Sequence, residues 1–182
     1  LFISVYFSFS ADAQNEKHLQ LDSIEVVGIT ALHGIDISRN KVASKIQRAT
    51  SQDFARLQST DYTDFLNQRF SAVHLNDPNG NMLQPDVQYR GFVASPLLGM
   101  SQGIAVYQDG VRMNELFGDI VNWEIIPRGA IATVELSSGS NPLYGLNSLG
   151  GALSFQTKTG FSHQGQTVSL NGGSFGRLSA DY

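Results

Sequence analysis

The apolar positions between residues 131 and 157 predict two strands separated by a tight turn. Ile131 to Leu136 form a short apolar run, and Ala152 to Thr157 alternate Leu and Phe with Ser and Gln. The segment between the runs is rich in residues that permit sharp turns and left-handed backbone, among them Gly139 and Pro142. The stretch offers no nucleophile, metal ligand or phosphate-binding loop, so we expect it to build structure.

A second pair of apolar runs predicts a β-hairpin. Residues 103–108 come directly before Asp109-Gly110, and residues 111–114 follow. An Asp-Gly pair between strand segments favours a two-residue turn, because both positions need left-handed backbone. Asp109 is therefore interpreted as a turn residue and not as a catalytic acid. Upstream, residues 87–92 predict a strand that runs into a turn, and residues 93–103 an apolar loop that packs against the domain.

The segment from residue 41 to residue 77 predicts a strand, two short helices and a second strand. A weak strand pattern at 42–49 is followed by Thr50-Ser51-Gln52-Asp53, which matches a capping box and starts a helix through Leu57. We expect a second helix to begin at Thr60 or Asp61.

One face of that second helix is apolar. Its large apolar residues recur at i, i+3, i+4 and i+8, and they are Tyr62, Phe65, Leu66 and Phe70. Such a stripe is far more often part of a core than of a ligand site. Residues 72–75 then predict a strand that ends in a turn at residues 77–80.

The N-terminal segment has the features of an export signal. Residues 1–9 are apolar, and Ala11-Asp12-Ala13 fits the small-x-small rule for cleavage before Gln14. Residues 1–13 are therefore predicted to be the remnant of a signal peptide, which places the mature protein beyond the inner membrane.

Residues 14–40 read as a polar tail with one short strand. The apolar positions at 22–28 are mostly β-branched, and Gly28 ends the run. Two interpretations are equally open from the residues alone. The strand either pairs with the sheet edge of a partner protein, or it is the first strand of the domain's own sheet.

Composition excludes several classes of function. The 182 residues carry a net charge of −4, which gives no basic surface for nucleic acid. Charged residues make up 15%, and this low share together with 18 glycines favours a β-rich or partly enclosed protein. The absence of cysteine excludes disulfides and thiolate metal sites. No apolar run approaches the roughly 20 residues of a membrane-spanning helix.

Catalytic motifs are also absent from the sequence. The nucleophile-elbow, zinc-protease and P-loop patterns do not occur. The histidines lack the spacing of metal ligands, and they are His18, His33, His74 and His163. We therefore predict no enzyme activity, no cofactor and no metal site.

Six motifs in order resemble the plug domain of TonB-dependent outer-membrane receptors. The resemblance extends from Asp22 to about Gly160. In chain order the motifs are a TonB-box-like segment at 22–28, a helix leading into a strand at 60–76, Tyr89-Arg90-Gly91-Phe92, the hairpin VYQDGVRMN at 106–114, Ile126-Pro127 with the strand at 131–136, and Leu143-Tyr144-Gly145 with Gly150-Gly151-Ala152-Leu153. The sequence departs from the family pattern in one segment, where Ser138-Gly139-Ser140 replaces the Arg-Gly-Pro that the family often has.

The resemblance implies an α+β fold. Residues 41–160 would form a plug domain with a small mixed β-sheet, short helices and long loops. Residues 161–182 would be the first one or two strands of an outer-membrane β-barrel, since they alternate apolar and polar positions. Such receptors close barrels of roughly 22 strands around the plug. We therefore expect this chain to be a fragment of a longer receptor.

The resemblance also implies energy-coupled uptake across the outer membrane. The TonB protein of the inner-membrane complex would pair in the periplasm with Asp22, Ser23, Ile24, Glu25, Val26 and Val27. Arg90 and Glu135 would contact the receptor's own barrel. The short stretch between Gln14 and Asp22 leaves no room for an N-terminal signalling domain, so transport without transcriptional signalling is expected.

Loops on the outer side of the plug would contact the substrate. The residues expected there are Met82, Leu83, Phe92, Ser95, Leu97, Met100 and Phe117. The substrate would be a scarce small molecule such as a ferric siderophore or another metal chelate. Haem, cobalamin and oligosaccharides also stay open, because barrel loops do much of the selecting. An alternative is a free-standing periplasmic binding or adaptor module. An exported enzyme is a further alternative, but it needs a catalytic constellation.

Overall fold

The computed structural model describes residues 26–28, 36–38, 44–57, 62–81, 83–161, 163, 169–172 and 178–181. Within these ranges the chain forms short helices and small sheets, an α+β fold as expected. In chain order the elements are β1 (Val26–Gly28), β2 (Asp36–Ser38), β3 (Ile46–Thr50), α1 (Ser51–Leu57), α2 (Tyr62–Arg69), β4 (Val73–Asn76), β5 (Asp86–Tyr89), β6 (Phe92–Ala94), β7 (Ile104–Gln108), β8 (Val111–Arg112), β9 (Ile131–Ser138), β10 (Gly151–Thr157), β11 (Ser169–Gly172) and β12 (Leu178–Asp181).

The central sheet has five strands in the order β3-β9-β10-β7-β8. Strands β7 and β10 are parallel, and the other neighbours are antiparallel, so the sheet is mixed as expected. The two strands predicted around residues 131–136 and 152–157 pair directly, with Leu136 opposite Leu153. The predicted Asp-Gly hairpin is confirmed, with φ of 48° at Asp109 and 80° at Gly110.

Asp109 also ties the hairpin turn to the end of β10. Its carboxylate accepts hydrogen bonds from the Thr157 backbone N–H and from Thr157 Oγ1, both at 2.8 Å. The carboxylate therefore has a structural task, and the interpretation of Asp109 as a turn residue is confirmed.

One face of the central sheet packs on the helices and on a second sheet. The buried side chains of this core include Val134, Leu153 and Phe155 from the central strands. The predicted apolar face of α2 contributes Phe65, Leu66 and Phe70, and the Phe65 ring stacks on Phe54 of α1 with centroids 3.7 Å apart. Burial of these large side chains is the main stabilising contribution to the domain.

Helix α1 begins at the predicted capping box. Asp53 Oδ2 accepts hydrogen bonds from the Thr50 backbone N–H at 2.9 Å and from Thr50 Oγ1 at 3.0 Å. The strand before it was expected at residues 42–49, but β3 begins only at Ile46. Its length is set by pairing with β9, where Ile46 lies opposite Ser137, and this partner could not be read from local pattern.

The second sheet has the strand order β4-β5-β6. The predicted turn after residue 89 is a two-residue hairpin turn, with φ of 51° at Arg90 and 86° at Gly91. A parallel bridge between Val93 and Gln102 connects this sheet to the central one. The Gly103 N–H strengthens the connection by donating to the Val93 carbonyl at 2.8 Å.

Two further hairpins lie near the ends of the chain. Strand β1 pairs with β2 in a separate two-stranded sheet, with Val27 opposite Ile37, so it is not part of the central sheet. Strands β11 and β12 pair with each other in the alternating C-terminal segment. The predicted signal peptide and Asp22 to Glu25 lie outside the described residues. Among the helices that are described, none has the length and apolarity needed to cross a membrane.

Candidate functional site

Two loops lie side by side at the starting end of β7. They comprise residues 95–101 and 114–120. The Val121 N–H donates to the Ser95 carbonyl at 2.9 Å, and Leu98 covers Gly118 so closely that a Cβ there would lie 2.5 Å from Leu98 Cδ2. The loops therefore form one surface.

The base of the first loop is closed by a side chain. Gln102 Oε1 accepts from the Ser95 N–H at 2.8 Å, and Gln102 Nε2 donates to the Ser95 carbonyl at 3.2 Å. Ser95 is fully buried, and its Oγ accepts from the Leu97 N–H at 3.0 Å. The Gln102 side-chain amide bonds both the N–H and the carbonyl of Ser95, as the backbone of a neighbouring strand would. It therefore fixes the point at which the loop leaves the sheet.

The tips of the two loops expose large apolar side chains. Phe117 is 78% exposed, and Leu116, Leu98 and Met100 are exposed as well. Exposed apolar groups gathered on one surface are typical of a contact site for a ligand or another protein surface.

The structure separates the predicted substrate-facing residues into two groups. Leu83, Met100 and Phe117 are exposed, as a ligand contact requires. Leu97 is half-buried, and Ser95 shapes the loop from beneath.

Two of the predicted positions remain. The Phe92 side chain is half-buried between Gly103 and Gly150, at the junction of the sheets. Met82 lies outside the described residues. Contact of these seven residues with a substrate stays a prediction.

The second loop is anchored by a buried asparagine that the sequence analysis did not single out. Asn114 Oδ1 accepts from the Val106 N–H at 2.7 Å, and Asn114 Nδ2 donates to the carbonyls of Ile104 and Asp119 at 3.2 and 3.3 Å. Asn114 thereby connects β7 with the far end of the loop. The available signal was an asparagine directly after the second strand of the hairpin.

The Asp119 carboxylate joins this loop to residues 142–150. Arg112 Nη2 donates to Asp119 Oδ1 at 2.9 Å, and Asn147 Nδ2 donates to Asp119 Oδ2 at 2.8 Å. Arg112 Nη2 also donates to the Leu146 carbonyl at 2.7 Å. Sequence reasoning missed this group because Asn147 lies 28 residues from Asp119 in the chain and Leu146 lies 34 residues from Arg112.

A tyrosine pair supports the same segment from below. The buried Tyr107 hydroxyl donates to the Tyr144 carbonyl at 2.5 Å. Burial raises the pKa of the Tyr107 phenol, although the nearby Arg112 charge acts in the opposite direction. The hydroxyl therefore keeps its proton at neutral pH and remains a donor.

The two predicted barrel-contacting residues have different surroundings. Arg90 is exposed at its turn, with its guanidinium carbon 5.2 Å from the centre of the Tyr89 ring. Glu135 is buried in β9, where its Oε1 lies 3.4 Å from Arg48 Nε on the neighbouring strand. The Glu135 charge is thus already paired within the domain. Contact of either residue with a barrel stays a prediction.

The described part of the chain contains no group of three or more His, Asp or Glu side chains placed to bind a metal ion. The exposed apolar side chains of residues 95–101 and 114–120 make this surface a candidate site for recognition.

Comparison with known structures supports this view of the fold. The alcaligin outer-membrane receptor FauA from Bordetella pertussis has a TM-score of 0.54 and 17% identity over 74% of this chain. The FpvAI–pyocin S2 complex gives a TM-score of 0.58 and 14% identity over 80% of the chain. FpvA of P. aeruginosa bound to heterologous pyoverdines gives 0.51 and 15% identity over 71% of the chain.

These structures are much longer than the present chain. The chain spans 21% of FauA, 18% of the FpvAI structure and 16% of pyoverdine-bound FpvA. No curated protein matches it. A family model described as the TonB-dependent receptor plug domain matches residues 38–152, which is more than half of the sequence. The chain therefore belongs to the TonB-dependent receptor plug domain family.

Proposed function

We propose that this chain is the plug portion of an outer-membrane receptor that takes up a scarce small molecule with energy supplied through TonB. The observation that carries the proposal is the family match over residues 38–152. Receptors of this family are transporters and not enzymes. A ferric siderophore or another metal chelate is the proposed substrate class, because the similar folds include an alcaligin receptor and a pyoverdine-bound receptor.

The exposed loops are the proposed substrate surface. Phe117 and its neighbours present apolar area that would otherwise face water, and such area favours binding of a ligand with an apolar part. The barrel would supply the remaining contacts. Residues 161–182 are proposed to begin that barrel, and β11 and β12 pair antiparallel as this requires.

Coupling to TonB is assigned to residues 22–27 in the periplasm. Strand addition depends mainly on backbone hydrogen bonds. Side-chain substitutions that keep the backbone N–H should therefore be tolerated, whereas loss of a backbone N–H should not. In the structure one edge of β1 is paired with β2. A TonB strand would therefore pair with the other edge of β1 or displace β2.

The TonB proposal is tested in the full-length receptor by measuring uptake of radiolabelled ferric siderophore into cells. Val26→Pro removes a backbone donor and should abolish uptake, while binding to de-energised cells is retained. Val26→Ala is the matched control and should keep most of the uptake. Full uptake with Val26→Pro would exclude this segment as the TonB-pairing strand.

The substrate surface is tested by truncating one exposed apolar side chain. Phe117→Ala should weaken siderophore binding by roughly tenfold, the size of effect expected for a central aromatic contact. Val111→Ala is a suitable control, because Val111 is 66% exposed at the hairpin turn at the opposite end of β7. Equal affinity of the Phe117→Ala variant and wild type would contradict the proposed surface.

A further inference from the structure

Three segments meet at one carboxylate beside the proposed substrate surface. Asp119 closes the loop 114–120, Arg112 ends β8, and Asn147 lies in the segment 142–150. Both Asp119 oxygens accept a hydrogen bond, one from each partner. The Asp119 carbonyl accepts a third from Asn114.

This ion pair is more protected than an ordinary surface pair. The Arg112 side chain is 27% exposed and the Asp119 side chain 19% exposed. Partial burial reduces screening by water and salt, and a charge-assisted hydrogen bond at 2.9 Å is short enough to orient both groups.

The backbone conformations of Asp119 and Asn147 indicate that their hydrogen bonds stabilise a strained arrangement. Asp119 and Asn147 both have left-handed backbone, with φ of 53° and 52°. This conformation has an energetic cost for a residue other than glycine, although Asp and Asn tolerate it best. The two strained residues are bonded to each other through their side chains, so the same contact that joins the loops also stabilises both turns.

The joined segments both carry exposed apolar side chains. Leu116 and Phe117 extend from the first, and Leu146, which is 81% exposed, and Leu149 extend from the second. Arg112 bonds the Leu146 carbonyl directly, so the network holds the backbone from which Leu146 projects.

We infer that Asp119 is a positioning residue that holds residues 114–120 against residues 142–150, so that Phe117 and Leu146 form one apolar contact surface for the substrate. This inference rests on the proposed function. It extends the substrate surface to a segment that the sequence analysis treated as purely structural. Asp119 itself does not touch the substrate; it acts through the two loops.

The positioning role is tested by spin-label distance measurement in the full-length receptor. The 182 residues contain no cysteine, so labels can be placed through Phe117→Cys and Leu146→Cys in this part of the chain. In the otherwise unchanged receptor we expect a narrow distance distribution. Asp119→Asn keeps the shape but removes the charge, and Arg112→Gln removes the ion pair from the other side, so both should broaden the distribution.

Two controls separate positioning from general destabilisation. Glu124→Gln removes an exposed carboxylate outside the network and should leave the distances unchanged. Arg112→Lys retains the charge and should give a distribution narrower than that of Arg112→Gln. An unchanged distribution in Asp119→Asn, or identical broadening in Glu124→Gln, would overturn the inference.

The consequence for binding is measured with the same substitutions in unlabelled receptor. Asp119→Asn should weaken ferric siderophore binding about tenfold, equivalent to about 1.4 kcal/mol, with normal receptor levels in the membrane. Wild-type affinity in this variant would overturn the substrate part of the inference. If the wild-type receptor binds no siderophore, the proposed function fails, whereas the distance measurement still decides whether Asp119 positions the loops.

Discussion

The start of α1 illustrates how one residue combines a hydrogen bond and a charge. Asp53 accepts two hydrogen bonds from Thr50, and Arg69 Nε lies 3.9 Å from its other oxygen. The Thr50 backbone N–H is the largest cause that lowers the pKa of Asp53. Burial opposes the shift, while the Thr50 hydroxyl and the charges of Arg69 and Arg56 add to it. The ionised carboxylate is thus favoured in the folded state.

We predict a pH-dependent cost for Asp53→Asn. Because the folded-state pKa is below the unfolded value of about 3.9, the stabilisation is present at neutral pH and is lost as the pH falls through the folded-state pKa. The substitution should reduce the free energy of unfolding by about 1 kcal/mol at pH 7 and by less at pH 3. Urea unfolding of the purified protein at both pH values measures this.

Asp77→Asn is the matched control for Asp53→Asn, since Asp77 is exposed in the turn after β4. It should change the free energy of unfolding little at either pH. An equal loss for Asp53→Asn at pH 7 and pH 3 would contradict the charge-based explanation.

Among the elements, β10 depends on a glycine at its first position. Gly151 has φ of 139°, and a Cβ there would lie 2.1 Å from the Ser137 carbonyl oxygen of β9. The contact is with backbone, so no side-chain rotation can relieve it. The pairing of β9 with β10 therefore requires glycine at this position.

We predict that Gly151→Ala destabilises the domain by about 3 kcal/mol, since backbone strain and a steric clash combine. Gly139→Ala is the control, because Gly139 has φ of 91° but no atom within 4 Å of the added Cβ. It should cost only about 1 kcal/mol. Urea unfolding compares the two, and equal costs would show that the close contact with Ser137 is unimportant.

At the scale of the whole molecule, Phe92 joins the two sheets. A Cβ on Gly103 would lie 2.7 Å from Phe92 Cδ1, and a Cβ on Gly150 would lie 2.5 Å from Phe92 Cβ. The Gly150 N–H also donates to the Gly103 carbonyl at 2.8 Å. The Phe92 ring therefore packs closely against both glycines, between the second sheet and the central sheet.

We predict different couplings of the two glycines with Phe92. Gly103→Ala should cost about 1–3 kcal/mol by overpacking, and Phe92→Ala should relieve part of this cost, because the closest atom belongs to the ring. Gly150→Ala should keep a residual cost after Phe92→Ala, because alanine retains the Cβ at 2.5 Å although it removes the ring atoms Cγ and Cδ2 at 2.6 and 2.8 Å. Double-mutant cycles of unfolding free energy should give a coupling above about 0.5 kcal/mol for both pairs, with the larger residual cost in the pair that contains Gly150.

Local signals predicted much of the fold. The capping box at Thr50, the apolar stripe of α2 and the Asp109-Gly110 turn depend on residues within one or two turns of each other, and all three were found as predicted. The start of β3 was predicted four residues too early, because its pairing with β9 spans most of the domain.

The candidate site was predicted less completely for the same reason. The loop tip at Phe117 could be anticipated from an apolar residue in a turn-rich segment, and it is exposed. The burial of Ser95 depends on Gln102, and the pairing of Glu135 depends on Arg48. Neither partner is recognisable from local spacing.

The sequence by itself determined the type of most elements, the family resemblance and the absence of catalytic motifs, since these depend on residue chemistry and short spacing. Only the tertiary structure decided which loops share a surface. Asp119, Arg112 and Asn147 meet because the strand order and directions place the end of β8 and the segment before β10 at the same end of the central sheet, on either side of β7. Hydrogen bonds between distant residues require their positions in space, and those positions follow from sheet pairing and core packing.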